Sequence, residues 1–395
     1  MAYPAACGPR VALVHDFLLD LRGAERVFLE MCAMWPDADV YTAVYDGAGT
    51  EGRFADRAVR TSFLQRLGPT ARNFRALLPL YPAAIESLDL SGYDLVISSS
   101  SAWAHAVLCD EGTVHVSYCH NPFRYAWNDR ERVLAQRGPV SRAVLRTILT
   151  HWRQWDWIAA QRVDGYLANS CATQRRIAGY WGRESTVLYP PVDTARFSRG
   201  PVAEHYLVLS ELMQHKQIDV AIRAFNRLRL PLIVAGDGPD ARRLRRIAGP
   251  NVCFAGRVSD PAAARLLQSC RALIVTGAEE FGIAAVEAQA AGRPVIAFDA
   301  GGVRETVRDG VTGRFWRGGA DDLATAVAEF DDGAIDPAVC VANAARFNRD
   351  AFRHALRRYV ESVVTDAEHA APRARREHAP EVRRARPRAL SRRSE

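Results

Sequence analysis

Two carboxylates, Glu279 and Glu287, stand eight positions apart in the stretch Thr276-Gly-Ala-Glu-Glu-Phe-Gly-Ile-Ala-Ala-Val-Glu-Ala-Gln-Ala-Ala-Gly292. Between them Phe281-Gly282-Ile283 reads as the start of a helix, whose first amides and positive dipole end suit an anion. Of 52 Lys and Arg residues only Lys216 is a lysine, the compact point charge to expect against a phosphate. A departing diphosphate needs its developing charge met by cations or by helix amides, and Lys216 with the Phe281-Gly282-Ile283 amides offers both. An ionised Glu287 accepts from two hydroxyls, which suits a ribose diol. Glu279, in the loop before the helix, would face a donor sugar. Taken alone, the two glutamates read better as solvated or dipole-paired carboxylates, so their context has to carry the functional reading. His120 is the remaining candidate, at the end of a strand where active-site groups collect in parallel sheets. Its alternative reading is a structural histidine that caps the turn before Pro122.

The elements that must carry these groups alternate strand and helix. Ala272-Leu-Ile-Val275 and Pro294-Val-Ile-Ala-Phe298 flank the carboxylate stretch as buried strands, with a helix from Ile283 to Ala291 stopped at Gly292. Strands His205–Leu209, Leu232–Ala235 and Val252–Ala255 and a helix over Ile218–Arg227 precede them. Lys216 falls in the loop after the first of these strands, on the same side as Glu279. In the first half, Val11–Val14 leads through His15-Asp16 into the loop Leu21-Arg22-Gly23 and a helix to about Met34. That arrangement makes Asp16, Arg22 and Gly23 candidates for an acceptor or phosphate loop. Strands Val40–Val44, Tyr93–Ile97, Val114–Tyr118, Gly165–Ser170 and Thr186–Tyr189 follow. Residues 53–92 read as short helices and a loop lining a cleft, and the strand Tyr93–Ile97 is followed by the polar run Ser98–Ser101. Pro190-Pro191 and Val192–Pro201 form a linker. The pattern predicts an α/β fold of two doubly wound, Rossmann-like domains facing across a cleft, over residues 1–198 and 199–349.

Composition narrows the function classes. At 48% hydrophobic and 25% charged residues the 395-residue chain is that of a globular protein. It has no apolar run near the roughly 18 residues of a membrane span. The N-terminus lacks the features of a signal peptide, and the eight scattered cysteines read as reduced thiols; a cytoplasmic protein is expected. Of the net charge of +7, residues 371–395 carry +6 through nine Arg and three Glu. The body lacks the basic footprint of a nucleic-acid binder. Residues 369–395 form an Arg-rich tail expected to be disordered. Its two readings are peripheral contact with an anionic inner membrane face and a solvated end with no partner. The helix from Arg142 to Arg162, with Trp152, Trp155 and Trp157, reads as packing between elements or as interfacial. Asp37-Ala-Asp39 has the spacing of a metal motif, but its place between Pro36 and a strand makes it a turn.

Glu279-x7-Glu287 with Phe281-Gly282, then Ala288-x-Ala290-x-Gly292-x-Pro294-Val295-Ile296 and Gly301-Gly302, resembles the retaining glycosyltransferases of family 4. Gly236-Asp-Gly-Pro239 and Phe254-x-Gly256-Arg257-Val258 fit the same pattern, adding Gly236 and Arg257 to the donor-binding candidates. Val14-His15-Asp16, Tyr118-Cys-His120-Asn-Pro122-x-Arg124-Tyr125, Ala168-Asn169-Ser170 and Tyr189-Pro-Pro-Val-Asp193 resemble strings of bacterial O-antigen and exopolysaccharide mannosyltransferase-like members. The resemblance implies a GT-B fold and metal-independent transfer, with retention, of a hexose, mannose foremost, to a lipid-linked or growing glycan acceptor in cell-surface polysaccharide synthesis. The donor would be GDP-mannose or a UDP-sugar, with no further cofactor. A last helix over 350–368 would cross back to the first domain. By position Glu279 contacts the sugar, Glu287 the ribose and Lys216 the diphosphate, with His120 near the reacting sugar. The chain departs from the pattern twice. Ser210-Glu211-Leu212 stands where the family has Ser-Arg-Leu, and Arg22-Gly23 where Gly-Gly is usual. A nucleotide-binding but catalytically impaired protein, or a sugar-nucleotide epimerase on the same fold, stay open as alternatives.

Overall fold

The computed structural model describes residues 8–377 apart from 69, 71 and 72. Seven parallel strands form the first sheet: β1 (Val11–His15), β2 (Asp39–Thr42), β3 (Val59–Thr61), β4 (Leu95–Ser100), β5 (Val114–Cys119), β6 (Gly165–Ala168) and β7 (Thr186–Val187). Their spatial order is β3-β2-β1-β4-β5-β6-β7. The main helices around them are α1 (Gly23–Met34), α2 (Tyr81–Glu86), α3 (Arg130–Ala135), α4 (Pro139–Ala160) and α5 (Cys171–Trp181). Six parallel strands form the second sheet: β8 (Tyr206–Leu209), β9 (Leu232–Ala235), β10 (Val252–Gly256), β11 (Leu273–Val275), β12 (Val295–Phe298) and β13 (Gly313–Trp316), in the order β10-β9-β8-β11-β12-β13. Its helices are α6 (Ile218–Leu228), α7 (Ala241–Ile247), α8 (Asp260–Ser269), α9 (Ile283–Ala290), α10 (Val303–Thr306), α11 (Ala320–Ala328) and α12 (Pro337–Ala344).

Strands such as Ala12-Leu-Val14 and Leu273-Ile-Val275 are apolar on both faces because helices cover both sides of a parallel sheet. Alternate residues accordingly enter different cores: Val14 and Val96 pack with Trp103 and Tyr81, while Leu13 and Ile97 pack with Phe28 and Met31. In the first sheet the order reverses between β1 and β4, and in the second between β8 and β11. A reversal leaves a crevice at the carboxyl ends of the two strands, where such sheets hold ligands. Asp16, Ser101, Lys216 and Glu279 all follow those four strand ends.

α13 (Arg349–Glu377) returns to the first domain. Its Phe352, Leu356 and Val360 are buried in the first domain's core, and the Tyr359 hydroxyl donates to the Tyr166 carbonyl at 3.1 Å. This helix corrects the expectation of disorder from residue 369, since it continues to Glu377; residues 378–395 lie outside the described residues. Arg, Ala and Glu are good helix formers, so low hydrophobicity alone misjudged this end. β3 and β13 add strands beyond those expected.

β4 is a second correction. It runs through Ser98-Ser-Ser100 because each hydroxyl meets a buried imidazole: Ser98 with His115 at 2.9 Å, Ser99 with His120 at 2.9 Å, and Ser100 with His105 at 3.2 Å. In α4, Trp152 packs against Trp103 and Phe123, and Trp155 donates its indole N–H to Glu86 at 3.1 Å; Trp157 is half exposed. Asp39 of the DxD spacing begins β2 and accepts from Tyr93 and Arg60. None of the described helices is long and apolar enough to cross a membrane.

Candidate active site

In the second domain the loop after β8 makes a 3-10 turn, Gln214–Lys216, and turns into α6 through Gln217 at φ +52°. The Thr276 hydroxyl donates to the Lys216 carbonyl at 2.6 Å, and a Cβ on Gly277 would sit 2.9 Å from the Lys216 Cα. The backbone of Lys216 therefore lies directly on the end of β11. Its ammonium reaches Glu279 Oε2 at 2.5 Å. Burial pulls the ammonium down, but Glu279 and Glu280 together outweigh it and hold its pKa above the ordinary lysine value.

Glu279 is clamped by the Gly301-Gly302 turn that follows β12. The Gly302 amide donates to the Glu279 carbonyl at 2.7 Å, and a Cβ on Gly301 (φ +76°) would stand 2.2 Å from that oxygen. Any other residue at Gly301 would displace the Glu279 backbone. Gly282, at φ +93°, opens α9 as its N-cap, and among the described residues no side chain is bonded to the first amides of the helix. Glu287 lies one turn further on, half-buried, and makes no hydrogen bond or ion pair among the described residues. Burial pushes its carboxyl up to about 7, even though Arg196 and Arg26 pull it down.

Phe281 is a candidate through its backbone amide, and its side chain has a separate place. Its ring is 3% exposed and packs with Tyr189 and Phe347, 5.6 and 5.3 Å between ring centres, so it anchors the loop and leaves only its backbone for a ligand. Gly236, at φ +140°, lets the turn after β9 close over the end of β8, where a Cβ would lie 1.9 Å from the Ser210 carbonyl; it shapes the Glu211 loop. Arg257 follows the edge strand β10, two strands from β8, and its exposed guanidinium faces Glu51 of the first domain at 3.8 Å.

In the first domain, β1 delivers His15 and Asp16 to the opposite wall. The Asp16 carboxylate accepts four backbone amides, from Ser101 (2.5 Å), Ala102 (3.1 Å), Trp103 (2.6 Å) and Ala104 (2.6 Å). With 1% exposure and all its lone pairs engaged, Asp16 is corrected from a ligand-loop residue to the residue that holds the β4 exit in place. His120 ends the β5 turn with Nε2 against Ser99 Oγ, and the same hydroxyl meets His15 Nδ1 at 3.1 Å. Burial, with help from His15, lowers the His120 pKa to about 3. The imidazole is therefore neutral at physiological pH and acts as a hydrogen-bonding group.

Arg22 is the N-cap residue of α1, and its backbone N–H donates to Glu25 Oε2 at 3.0 Å, while its guanidinium accepts nothing from the helix. A Cβ on Gly23 would stand 3.1 Å from Ile283 Cδ1, so the start of α1 faces the start of α9 across the cleft. Ion pairs join the two walls. Arg22 meets Glu211 at 2.7 Å and Arg26 grips Asp260 at 2.8 and 2.6 Å. Arg124 contacts Glu280, which Arg176 also faces at 3.8 Å. Burial would raise the Glu280 pKa, but Arg124, Lys216 and Arg176 lower it below the ordinary value. Glu305 of α10 accepts the Cys171 and Ala172 amides at the start of α5, at 2.8 and 3.3 Å.

The structure thus brings Lys216, Glu279, Gly282, Ile283, Glu211, Arg22 and Gly23 to one gap, with His120 on the first domain's side. Sequence reasoning did not select Ser99, Arg124, Arg176, Glu280 or Glu305. The only local signal for Glu280 was its place beside Glu279, and for Ser99 a serine run flanked by strands containing histidines.

The family description "Glycosyltransferase Family 4" matches residues 21–196, and "Glycosyl transferases group 1" matches residues 200–347. A GDP-mannose-dependent alpha-(1-6)-phosphatidylinositol monomannoside mannosyltransferase of Mycobacterium tuberculosis is 32% identical over 228 residues, 48% of this chain and 56% of that protein. A D-inositol 3-phosphate glycosyltransferase of Geodermatophilus obscurus is 31% identical over 185 residues, 38% of this chain and 41% of that protein. The chain thus spans about half the length of these curated relatives. Among solved structures, sucrose-phosphate synthase of Thermosynechococcus elongatus superposes with a TM-score of 0.72 at 16% identity, covering 91% of this chain and all of that one. HepE of Anabaena in complex with UDP-glucose gives 0.67 at 19% identity, covering 89% and 99%. These two share the fold of two facing parallel-sheet domains, and with both halves of the sequence matched, the chain belongs to glycosyltransferase family 4 and has the GT-B fold.

Proposed function

We propose that the protein is a retaining, metal-independent hexosyltransferase that moves a sugar, mannose foremost, from a nucleotide-sugar to a lipid-linked or glycan acceptor in cell-surface polysaccharide synthesis. The observation that carries the reading is the Lys216–Glu279 pair, fixed by Thr276, Gly277, Gly301 and Gly302 at the uncapped start of α9. A diphosphate here meets one ammonium and the first amides of a helix, which stabilise the charge that develops as the glycosidic bond breaks. Glu279 then exchanges part of its hold on Lys216 for sugar hydroxyls. Glu287, one turn deeper, accepts from the ribose diol. His120 offers a neutral imidazole, positioned by Ser99, to the sugar from the opposite wall. The mannosyl assignment and GDP as the nucleotide rest on the printed activity of the mycobacterial relative. Retention rests on the resemblance of the carboxylate block to its family.

The test is release of nucleoside diphosphate from a panel of GDP- and UDP-sugars, with and without polyprenyl-linked saccharide acceptors. GDP-mannose should support turnover and Glu279→Ala should lose it by about a hundredfold or more, the scale of one lost transition-state contact. Absence of turnover with every donor overturns the proposal.

A further inference from the structure

Glu211 occupies the loop that also carries Lys216, where a carboxylate would repel a diphosphate. It is not alone there. Arg22 reaches across from the first domain and places Nη1 2.7 Å from Glu211 Oε2, while Nε and Nη2 of the same guanidinium hold Asp20 at 2.8 and 2.7 Å. Burial works against the charge of Arg22, and Glu211 and Asp20 more than compensate, so the guanidinium stays charged. The backbone that carries it is placed by two independent features, the Arg22 N–H bond to Glu25 and the close approach of Gly23, where a Cβ would stand 3.1 Å from Ile283 Cδ1 of α9.

The charges in this gap do not balance for an anionic ligand. Arg22 and Lys216 stand against Asp20, Glu211 and Glu279, while Glu280 is matched by Arg124 and Arg176. A diphosphate enters only if one carboxylate withdraws. Glu211 is the one to move: among the described residues its ion-pair partner is Arg22 alone, its side chain is 29% exposed, and its loop is not held as the Glu279 backbone is by Gly301 and Gly302. When it swings out, Arg22 keeps its grip on Asp20 and turns a free N–H edge toward phosphate oxygens, a geometry a guanidinium suits better than an ammonium.

The geometry points to Arg22 as the second diphosphate cation, supplied from the first domain, with Glu211 as the counter-ion that holds it in the gap until the donor arrives. This rests on the donor-site reading above and adds to it a partner exchange that couples donor binding to contact between the domains.

The test is calorimetric binding of whichever of GDP and UDP the wild type holds more tightly, and of the monophosphate of the same base. Arg22→Ala should weaken the diphosphate about tenfold and the monophosphate much less, the scale of one charged hydrogen bond to the outer phosphate. Glu211→Gln should tighten the diphosphate severalfold, a gain that misfolding cannot produce. Glu211→Arg in the Arg22→Ala background should restore affinity to within about threefold, because the cation then comes from the other wall. If both single variants shift affinity in the same direction, the pair is only a tie between domains and the proposal fails. It fails too if Arg22→Ala leaves diphosphate binding unchanged. A wild type that binds neither nucleotide overturns the donor site itself, which is a separate result.

Discussion

The carboxyl ends of the two sheets hold similar numbers of polar groups and treat them in opposite ways. In the first domain the buried acid and histidines behind the cleft are partnered from within, while the Tyr81 hydroxyl, the Trp103 indole N–H and the Ser117 hydroxyl make no hydrogen bond among the described residues. Asp16 takes four amides, and His15, His105, His115 and His120 each have a serine of β4. In the second domain the polar groups are ions held by one partner or by the opposite wall: Lys216 by Glu279, Glu280 by Arg124, Glu211 by Arg22. A fully satisfied low-dielectric network is rigid and costly to disturb. A partly exposed ion pair has little net stability to lose and exchanges readily for another anion or cation. In the function proposed above, the first wall would serve as a preformed surface for the reacting sugar, and the second as a set of exchangeable charges for a charged donor.

Substitutions should separate the walls by what they damage. The largest effect belongs to Asp16→Asn, which keeps the shape but turns an amide NH2 toward backbone donors that have no other acceptor. Unfolding of the first domain should lose about 3 kcal/mol or more, lowering its melting temperature by on the order of 10 °C. Nucleotide affinity measured below the transition should change little. If the melt is that of the wild type and affinity collapses, Asp16 belongs to the exchangeable set and the contrast is wrong.

Lys216→Met should give the converse. It removes the one ammonium of the gap and leaves Glu279, which is 19% exposed and can turn to water. Diphosphate affinity should fall about a hundredfold, some 2–3 kcal/mol, as expected for charged hydrogen bonds, while the melting temperature moves by only a few degrees. A calorimetric titration beside a melt of the same sample reads both. A large loss of stability with affinity retained would place Lys216 among the structural ions.

The same contrast decides what could be read from the chain. The second wall was largely legible because its groups are local: Lys216, Glu279 and the glycines that clamp them lie at strand ends that an apolar run announces. The first wall was less so. Ser98-Ser-Ser100 looks like a polar run after a strand until the histidines of neighbouring strands are placed beside it, and those contacts join residues far apart in sequence. Asp16 was picked for its position after β1, yet position does not reveal that four amides turn toward it. Phe281 was named for its backbone amide; that its ring faces the core beside Tyr189 and Phe347 was not visible in the sequence. Arg22 and Glu211 were each visible as departures from the family, one in each domain. That they pair with each other follows only from the closed arrangement of the two domains.

The smallest predicted effect tests where Glu287 belongs. Among the described residues it is the one site carboxylate of the second domain without a hydrogen-bond or ion-pair partner, and burial holds its pKa at about 7, above the ordinary 4.5. Because the folded value is raised, Glu287 favours folding most below the ordinary value, and that contribution is lost as pH rises through about 7. A ribose diol that donates two hydroxyl hydrogens stabilises the ionised form and must lower this pKa on binding. Binding at pH 7 should then release up to about half a proton, since roughly half of Glu287 is protonated in the free protein. Calorimetry in buffers of different ionisation enthalpy measures that number. Affinity should rise severalfold between about pH 6 and pH 8, and Glu287→Gln should remove both the proton release and the slope while weakening binding by a smaller factor than Lys216→Met. If binding takes up protons, or if Glu287→Gln keeps the slope, Glu287 does not accept the diol. It would then be a buried acid, and the second wall would hold one group that behaves like those of the first.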